Sequence, residues 1–115
     1  CLDAPVTILP REVYWVSTGI ALEVPKGCAG LVFARSSMGA KRGLAPANKV
    51  GVIDSDYRGE VRVVLLNHSN QPQTLEPGER VAQLVIVPVL TPGFNQVDEL
   101  DDTARGTGGF GSTGK

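Results

Sequence analysis

Val61-Arg62-Val63-Val64-Leu65-Leu66-Asn67, running into His68-Ser69-Asn70, is the stretch from which the architecture is read. A short run of β-branched and aliphatic residues closed by turn formers reads as a strand. Its nearly continuous apolarity predicts burial on both faces, or on one face with a subunit contact on the other. Outward in both directions the same rhythm recurs. Further candidate strands are Val6–Ile8, Val13–Ser17, Ile20–Val24, Ala29–Ala34, Val50–Asp54, Gln73–Leu75, Val81–Val87 and Phe94–Val97. Between them lie Pro25-Lys26-Gly27 and Glu76-Pro77-Gly78-Glu79, where the backbone must bend or adopt positive φ. Fourteen Gly and eight Pro distributed in this way predict an all-β sandwich or barrel of short antiparallel strands. No convincing helix is found; Ser36–Gly43 suggests one or two helical turns closed by glycine.

A chain of 115 residues forms one domain. The core must come from small aliphatics, since 42% of residues are hydrophobic but only 5% aromatic. Eleven basic against twelve acidic residues leave a net charge of −1, which supplies no global field for nucleic acid or an anionic membrane. An anionic ligand must therefore be held locally. Cys1 and Cys28 match no metal spacing and are too few for a disulfide framework. With no spanning segment or secretory signal in view, a cytoplasmic location is expected. The start on Cys1 suggests a fragment with upstream sequence missing. After Val97 the composition turns acidic and then glycine-rich, so residues 1–97 are read as the β domain and 98–115 as a flexible arm.

Four constellations carry chemistry. Gly51 to Glu60 is a strand end followed by a turn crowded with carboxylates. There Asp54, partly desolvated and rigidly aimed, could serve as a general base toward water, or simply cap the turn. Arg35-Ser36-Ser37 delivers a cation, hydroxyls and backbone N–H groups into a turn, a mixture suited to phosphate. Gln83 is the polar residue of an apolar strand, where a buried amide needs a protein or ligand partner. In the tail, Arg105 can meet phosphate and Phe110 can stack on a base as parts of a lid, although a tail without a role is the plainer reading. Gly109–Lys115 matches G-x-x-x-x-G-K, but without its strand and helix the phosphate-loop reading is rejected. His68 is read as solvated, the Asn67-His68-Ser69 sequon as incidental, and Tyr14 and Trp15 as core and surface partners.

In this order and spacing the constellations resemble the trimeric dUTPase family, dUTP diphosphatases of the β-clip or distorted jelly-roll fold. Arg35-Ser36-Ser37 looks like the family's second motif, Gly51–Gly59 its third, Gly78–Gln83 its fourth and Arg105–Thr113 its fifth. The resemblance implies hydrolysis of dUTP to dUMP and pyrophosphate by in-line attack of water on the α-phosphorus, limiting uracil in DNA and supplying dUMP. It implies that Asp54 activates the water and contacts the 3′-hydroxyl, and that Tyr57 packs under the deoxyribose and excludes a 2′-hydroxyl. Asn48 and the hairpin through Val50, Gly51 and Ile53 would read uracil. Arg35, Ser36, Ser37 and Gln83 would meet triphosphate and water, with Arg105, Phe110, Gly111, Ser112 and Thr113 in the closing arm. Magnesium would be held by triphosphate and water without protein ligands, and the sites would be shared within a homotrimer.

Two departures stand out. The family's first motif would lie upstream of Cys1, and Ala34 and Ser37 occupy positions where Pro and Gly are usual, although Ser37 still offers its N–H. The alternatives are a dCTP deaminase or bifunctional relative, which also carries Arg-Ser-Ser, and a nucleotide-binding regulatory protein of the same fold. Tyr57 and the complete fifth motif favour the diphosphatase.

Overall fold

A computed structural model describes residues 1–114; Lys115, the last position of the predicted arm, lies outside the described residues. The elements in order are β1 Val6–Ile8, β2 Val13–Ala21, β3 Cys28–Ala34, α1 Ser36–Arg42, β4 Leu44–Pro46, β5 Gly51–Ile53, β6 Glu60–Asn67, β7 Gln73–Leu75 and β8 Ala82–Pro88. They form three small sheets, β1–β7, β2–β6–β4 and β5–β3–β8. Every strand pairing is antiparallel, as the short turn-rich links predict.

The core is aliphatic throughout, with Ile8, Met38, Leu44, Leu65 and Leu75 almost inaccessible. β6 buries Val61, Val63, Leu65 and Asn67 on one face, while Val64 and Leu66 are half-buried and Arg62 exposed on the other. Within a single chain this strand is thus covered on one face only. Tyr14 packs on the core and Trp15 points outward. Asn67 is the one buried polar residue among those described, and it is fully engaged. Its Nδ2 donates to the carbonyls of Ile8 (2.9 Å) and Gln71 (2.8 Å), while Oδ1 accepts from Ser69 N (2.9 Å) and Ser69 Oγ (2.7 Å). A buried side chain so engaged is no glycan acceptor, which disposes of the sequon.

Three expectations need correction. Val13–Ser17 and Ile20–Val24 are not separate strands. Ser17 faces Arg62 and Ala21 faces Glu60, so Thr18–Ile20 forms a bulge within β2, helped by Gly19 at φ 75°. Phe94–Val97 is not a strand, because the chain has left the sheets at Pro88 and the Phe94 ring stands fully exposed with nothing alongside. β4 was not anticipated, since Leu44-Ala45-Pro46 has no β-branched residue and contains a proline. It is an edge strand, the position where a missing N–H is tolerated.

The helical turns expected over Ser36–Gly43 are present as α1, ended by Gly43 at φ 67°. A Cβ at Gly43 would sit 3.0 Å from Ser69 N, so glycine is needed for both conformation and space. The Cα radius of gyration is 19.1 Å, against about 13 Å for a compact domain of this length. The excess comes from the segment after Pro88, whose residues are almost all exposed.

Candidate active site

β5 delivers its end to a cleft of about 500 Å³. Asn48, Gly51, Ile53, Asp54 and Tyr57 all line it, so most of the predicted base, sugar and water residues converge. Val50 is not among the lining residues. Nor is the segment leading into β5 a hairpin of mutually paired strands, because β4 pairs with β6 and β5 with β3. The crossing turn between sheets is held by Lys49 N to Pro46 O (2.9 Å) and Val50 N to Asn48 O (2.8 Å).

Beyond β5 the chain turns at once, with Tyr57 N donating to Asp54 O at 3.2 Å. Arg58 closes this turn by donating to Ser55 O at 2.7 Å and reaching Glu23 at 3.5 Å. Asp54 is exposed at the mouth of the cleft, so the expected desolvation of its carboxylate is absent in the single chain. Any shielding of it must come from ligand or from a second chain. Tyr57 is half-exposed toward the cleft, and its Oη donates to Glu60 O at 2.9 Å.

The opposite wall was not foreseen. Trp15, Glu60 and Arg62 line the cleft from β2 and β6. The Ser17 hydroxyl donates to the Glu60 carboxylate, Gly19 N donates to it at 2.8 Å from the bulge, and Arg62 Nε lies 3.3 Å away. The Ser17 bond, then the Gly19 bond, outweigh slight burial and hold the Glu60 carboxyl below the usual carboxylate range. A folded value below the unfolded one adds stability above the ordinary value near 4.5, and this is lost as pH falls through the lower folded value. Melting temperatures of the native protein should therefore fall more steeply below about pH 4.5 than those of Glu60→Gln. Parallel curves through that window would remove Glu60 from the acid limb.

A second, smaller hollow of about 170 Å³ is lined by Arg35, Ser37, Met38, Arg42, Glu79 and Arg80. Three arginines against one glutamate make it cationic on a chain of net charge −1. Half-buried Arg35 is the residue before α1, whose exposed Ser36 and Ser37 form the first turn, where N–H groups have no helical partner. Arg42, at the other end of α1, pairs with Glu79 and donates to Thr74 O and, at 3.3 Å, to Gln73 Oε1. It thereby ties the helix to β7 and to the turn before β8. Arg80, a cation just ahead of an apolar strand, could have been singled out by the same reasoning as Arg35. Gln83 is exposed rather than buried, its Nε2 donating to Ala34 O at 2.9 Å. An outer-strand position leaves its side chain in solvent, so the backbone carbonyl partner suffices.

The cleft and the hollow share no lining residue. Ile53 pairs with Gly30 and Gln83 with Phe33, on opposite flanks of β3. Asp54, one residue beyond Ile53, and Gln83 are therefore separated by roughly 13 Å along the strands and roughly 10 Å across them. In one chain they cannot touch the same water. Arg105, Phe110, Gly111, Ser112 and Thr113 reach neither cavity. Arg105 Nε donates to Gly108 O at 2.6 Å, Ser112 N to Gly109 O at 3.1 Å, and the Phe110 ring is fully exposed.

An antiparallel β fold with a pocketed carboxylate, ring and amide, and a separate arginine-rich hollow, defines a class of small proteins suited to a polar anionic ligand. The family model described as dUTPase matches residues 1–114. The deoxyuridine 5′-triphosphate nucleotidohydrolase of Janthinobacterium sp. (strain Marseille) is 53% identical over 116 residues, covering 100% of this chain and 78% of the relative. That of Desulfitobacterium hafniense (strain DSM 10664 / DCB-2) is 50% identical over 114 residues, covering 98% and 76%. Among solved structures, a mutant dUTPase of Staphylococcus bacteriophage 80alpha with dUpNHpp gives a TM-score of 0.85 at 30% identity, covering 97% of this chain and 82% of that one. A mutant dUTPase from phage phi11 of S. aureus, described with a structural Mg(II) ion, gives 0.77 at 26% identity, covering 86% and 80%. The chain belongs to the dUTPase family and is a dUTP diphosphatase of jelly-roll-like fold.

Among the described residues no helix is long and apolar enough to cross a membrane.

Proposed function

We propose that this chain hydrolyses dUTP to dUMP and pyrophosphate with Asp54 as general base, in sites shared between three copies. The convergence of Asn48, Gly51, Ile53, Asp54 and Tyr57 on one cleft is the observation that carries the reading. Uracil lies against Asn48 and the backbone of Gly51 and Ile53, with Val50 behind them in the turn, and the deoxyribose rests on Tyr57. Asp54 takes a proton from water as the new bond to the α-phosphorus forms, and the bond to the bridging oxygen breaks to release pyrophosphate. Arg35, Ser36, Ser37 and Gln83 meet the phosphates and the water, aimed where charge develops. Residues 98–115 form an arm that closes the site with Arg105, Phe110, Gly111, Ser112 and Thr113.

The separation of Asp54 from Gln83 within one chain supports a site completed by other copies, and the half-covered β6 offers a face for them. Among the described residues no group of three or more His, Cys, Asp or Glu could hold a metal ion. On this reading magnesium is carried by the triphosphate and water, where it would neutralise charge on phosphate oxygens. A cytoplasmic location is part of this reading.

The test is a product assay offering dUTP, UTP, dTTP and dCTP separately with magnesium. Exclusive formation of dUMP and pyrophosphate from dUTP is expected. Formation of dUMP from dCTP would move the chain to the deaminase branch, and no turnover of any of them would favour a regulatory binding protein.

A further inference from the structure

Gly59 is exposed, and its φ lies outside the left-handed region, so the backbone there would accept any residue. What it does not accept is a side chain beside Tyr57. A Cβ built on Gly59 would lie 2.4 Å from Tyr57 Oη, 2.6 Å from Cζ and 3.1 Å from Cε2. The ring is also tethered at its far end, because Oη donates to Glu60 O at 2.9 Å. That acceptor is itself held, since the Glu60 carboxylate takes bonds from Ser17 and Gly19 across the β2 bulge and lies beside Arg62.

We infer that Gly59 is a specificity-determining position for the sugar, acting by leaving the space in which Tyr57 lies down on the backbone, with Glu60 O fixing the ring's height. The inference rests on the proposed placement of deoxyribose against Tyr57. Discrimination against one extra hydroxyl by a ring face depends on a close contact, and contact energies already change substantially when a surface moves by roughly 0.5–1 Å. To reach ordinary van der Waals separation, 3.4 Å or more, from an added Cβ, Tyr57 Oη must move by about 1 Å or more, at the top of that range or beyond it. The ring then tilts off Glu60 O and into or away from the cleft, and in either case the match to a 2′-deoxy sugar is lost.

The experiment measures kcat/KM for dUTP and for UTP in the native protein, Gly59→Ala, Tyr57→Phe and Tyr57→Ala, with melting temperatures recorded alongside. Gly59→Ala should lower the dUTP-to-UTP ratio roughly tenfold or more, the scale on which a methylene-sized misfit discriminates. Its melting temperature should stay close to native, because the site is exposed. Tyr57→Phe keeps the ring but frees it from Glu60 O, and should lower the ratio several-fold whether or not Gly59→Ala folds well. If Tyr57→Ala collapses the ratio while Gly59→Ala and Tyr57→Phe leave it at the native value, the inference is overturned and the sugar placement stands. If Tyr57→Ala also leaves it unchanged, the placement is wrong and the inference falls with it.

Discussion

Asp54→Asn is expected to lower dUTP turnover roughly 10²–10⁴-fold, the range typical of a positioned general base, while leaving nucleotide affinity nearly unchanged. The substitution preserves shape while removing the negative charge and with it the ability to take a proton. Ile53, paired with Gly30, keeps the strand end in place, and the Tyr57 N to Asp54 O bond is made by backbone. Because Asp54 is exposed, no buried charge is lost, and stability should stay within about 0.5 kcal/mol of native. Pyrophosphate release gives the rate, and calorimetry with a non-hydrolysable dUTP analogue gives the affinity. Native turnover in the variant would remove Asp54 from the mechanism.

The largest loss of stability is expected at Asn67. Asn67→Ala deletes both donors and the acceptor of a fully buried side chain, leaving Ile8 O and Ser69 N without the bonds it made, while Gln71 O keeps the Ser69 hydroxyl as donor at 2.9 Å. An unsatisfied buried group costs about 1–3 kcal/mol, so a total of roughly 2–4 kcal/mol is expected, partly relieved by water at the outer end of the turn. For a domain of this size that lowers the melting temperature by about 10–20 °C. Denaturant titration measures the change directly. A loss below about 1 kcal/mol would mean that the turn satisfies itself with solvent.

Much of this site could be read from the chain because its parts are contiguous. Gly51 to Tyr57 form one strand end and one turn, whose chemistry singles out Asp54, while Asn48 and Tyr57 are implied by the family resemblance; all three line one cleft. The wall supplied by Trp15, Glu60 and Arg62 could not be read, since it depends on β2 pairing with β6 and on a bulge that aims Gly19 at a carboxylate. β7 was bounded correctly because turn residues flank it closely, whereas β4, built of Leu, Ala and Pro, has no strand propensity of its own and exists through its pairing with β6. The misreading of Gln83 has a similar origin. An apolar sequence neighbourhood suggests burial, yet Leu84, Val85 and Ile86 beside it are all exposed in the single chain, on an outer strand whose cover must come from elsewhere.

Arg42 has a thermodynamic consequence. By joining α1 to β7 and to the turn before β8 through Glu79, Thr74 and Gln73, it makes the arginine-lined hollow a preassembled receptor. Little configurational entropy is then surrendered there when phosphates arrive. On the proposed reading, the entropic penalty of binding falls instead on the residues beyond Pro88, each of which gives up roughly 1–2 kcal/mol of backbone freedom on ordering. Calorimetry of ligand binding should accordingly show an unfavourable entropy that shrinks when the arm is shortened, with the enthalpy of the phosphate contacts retained.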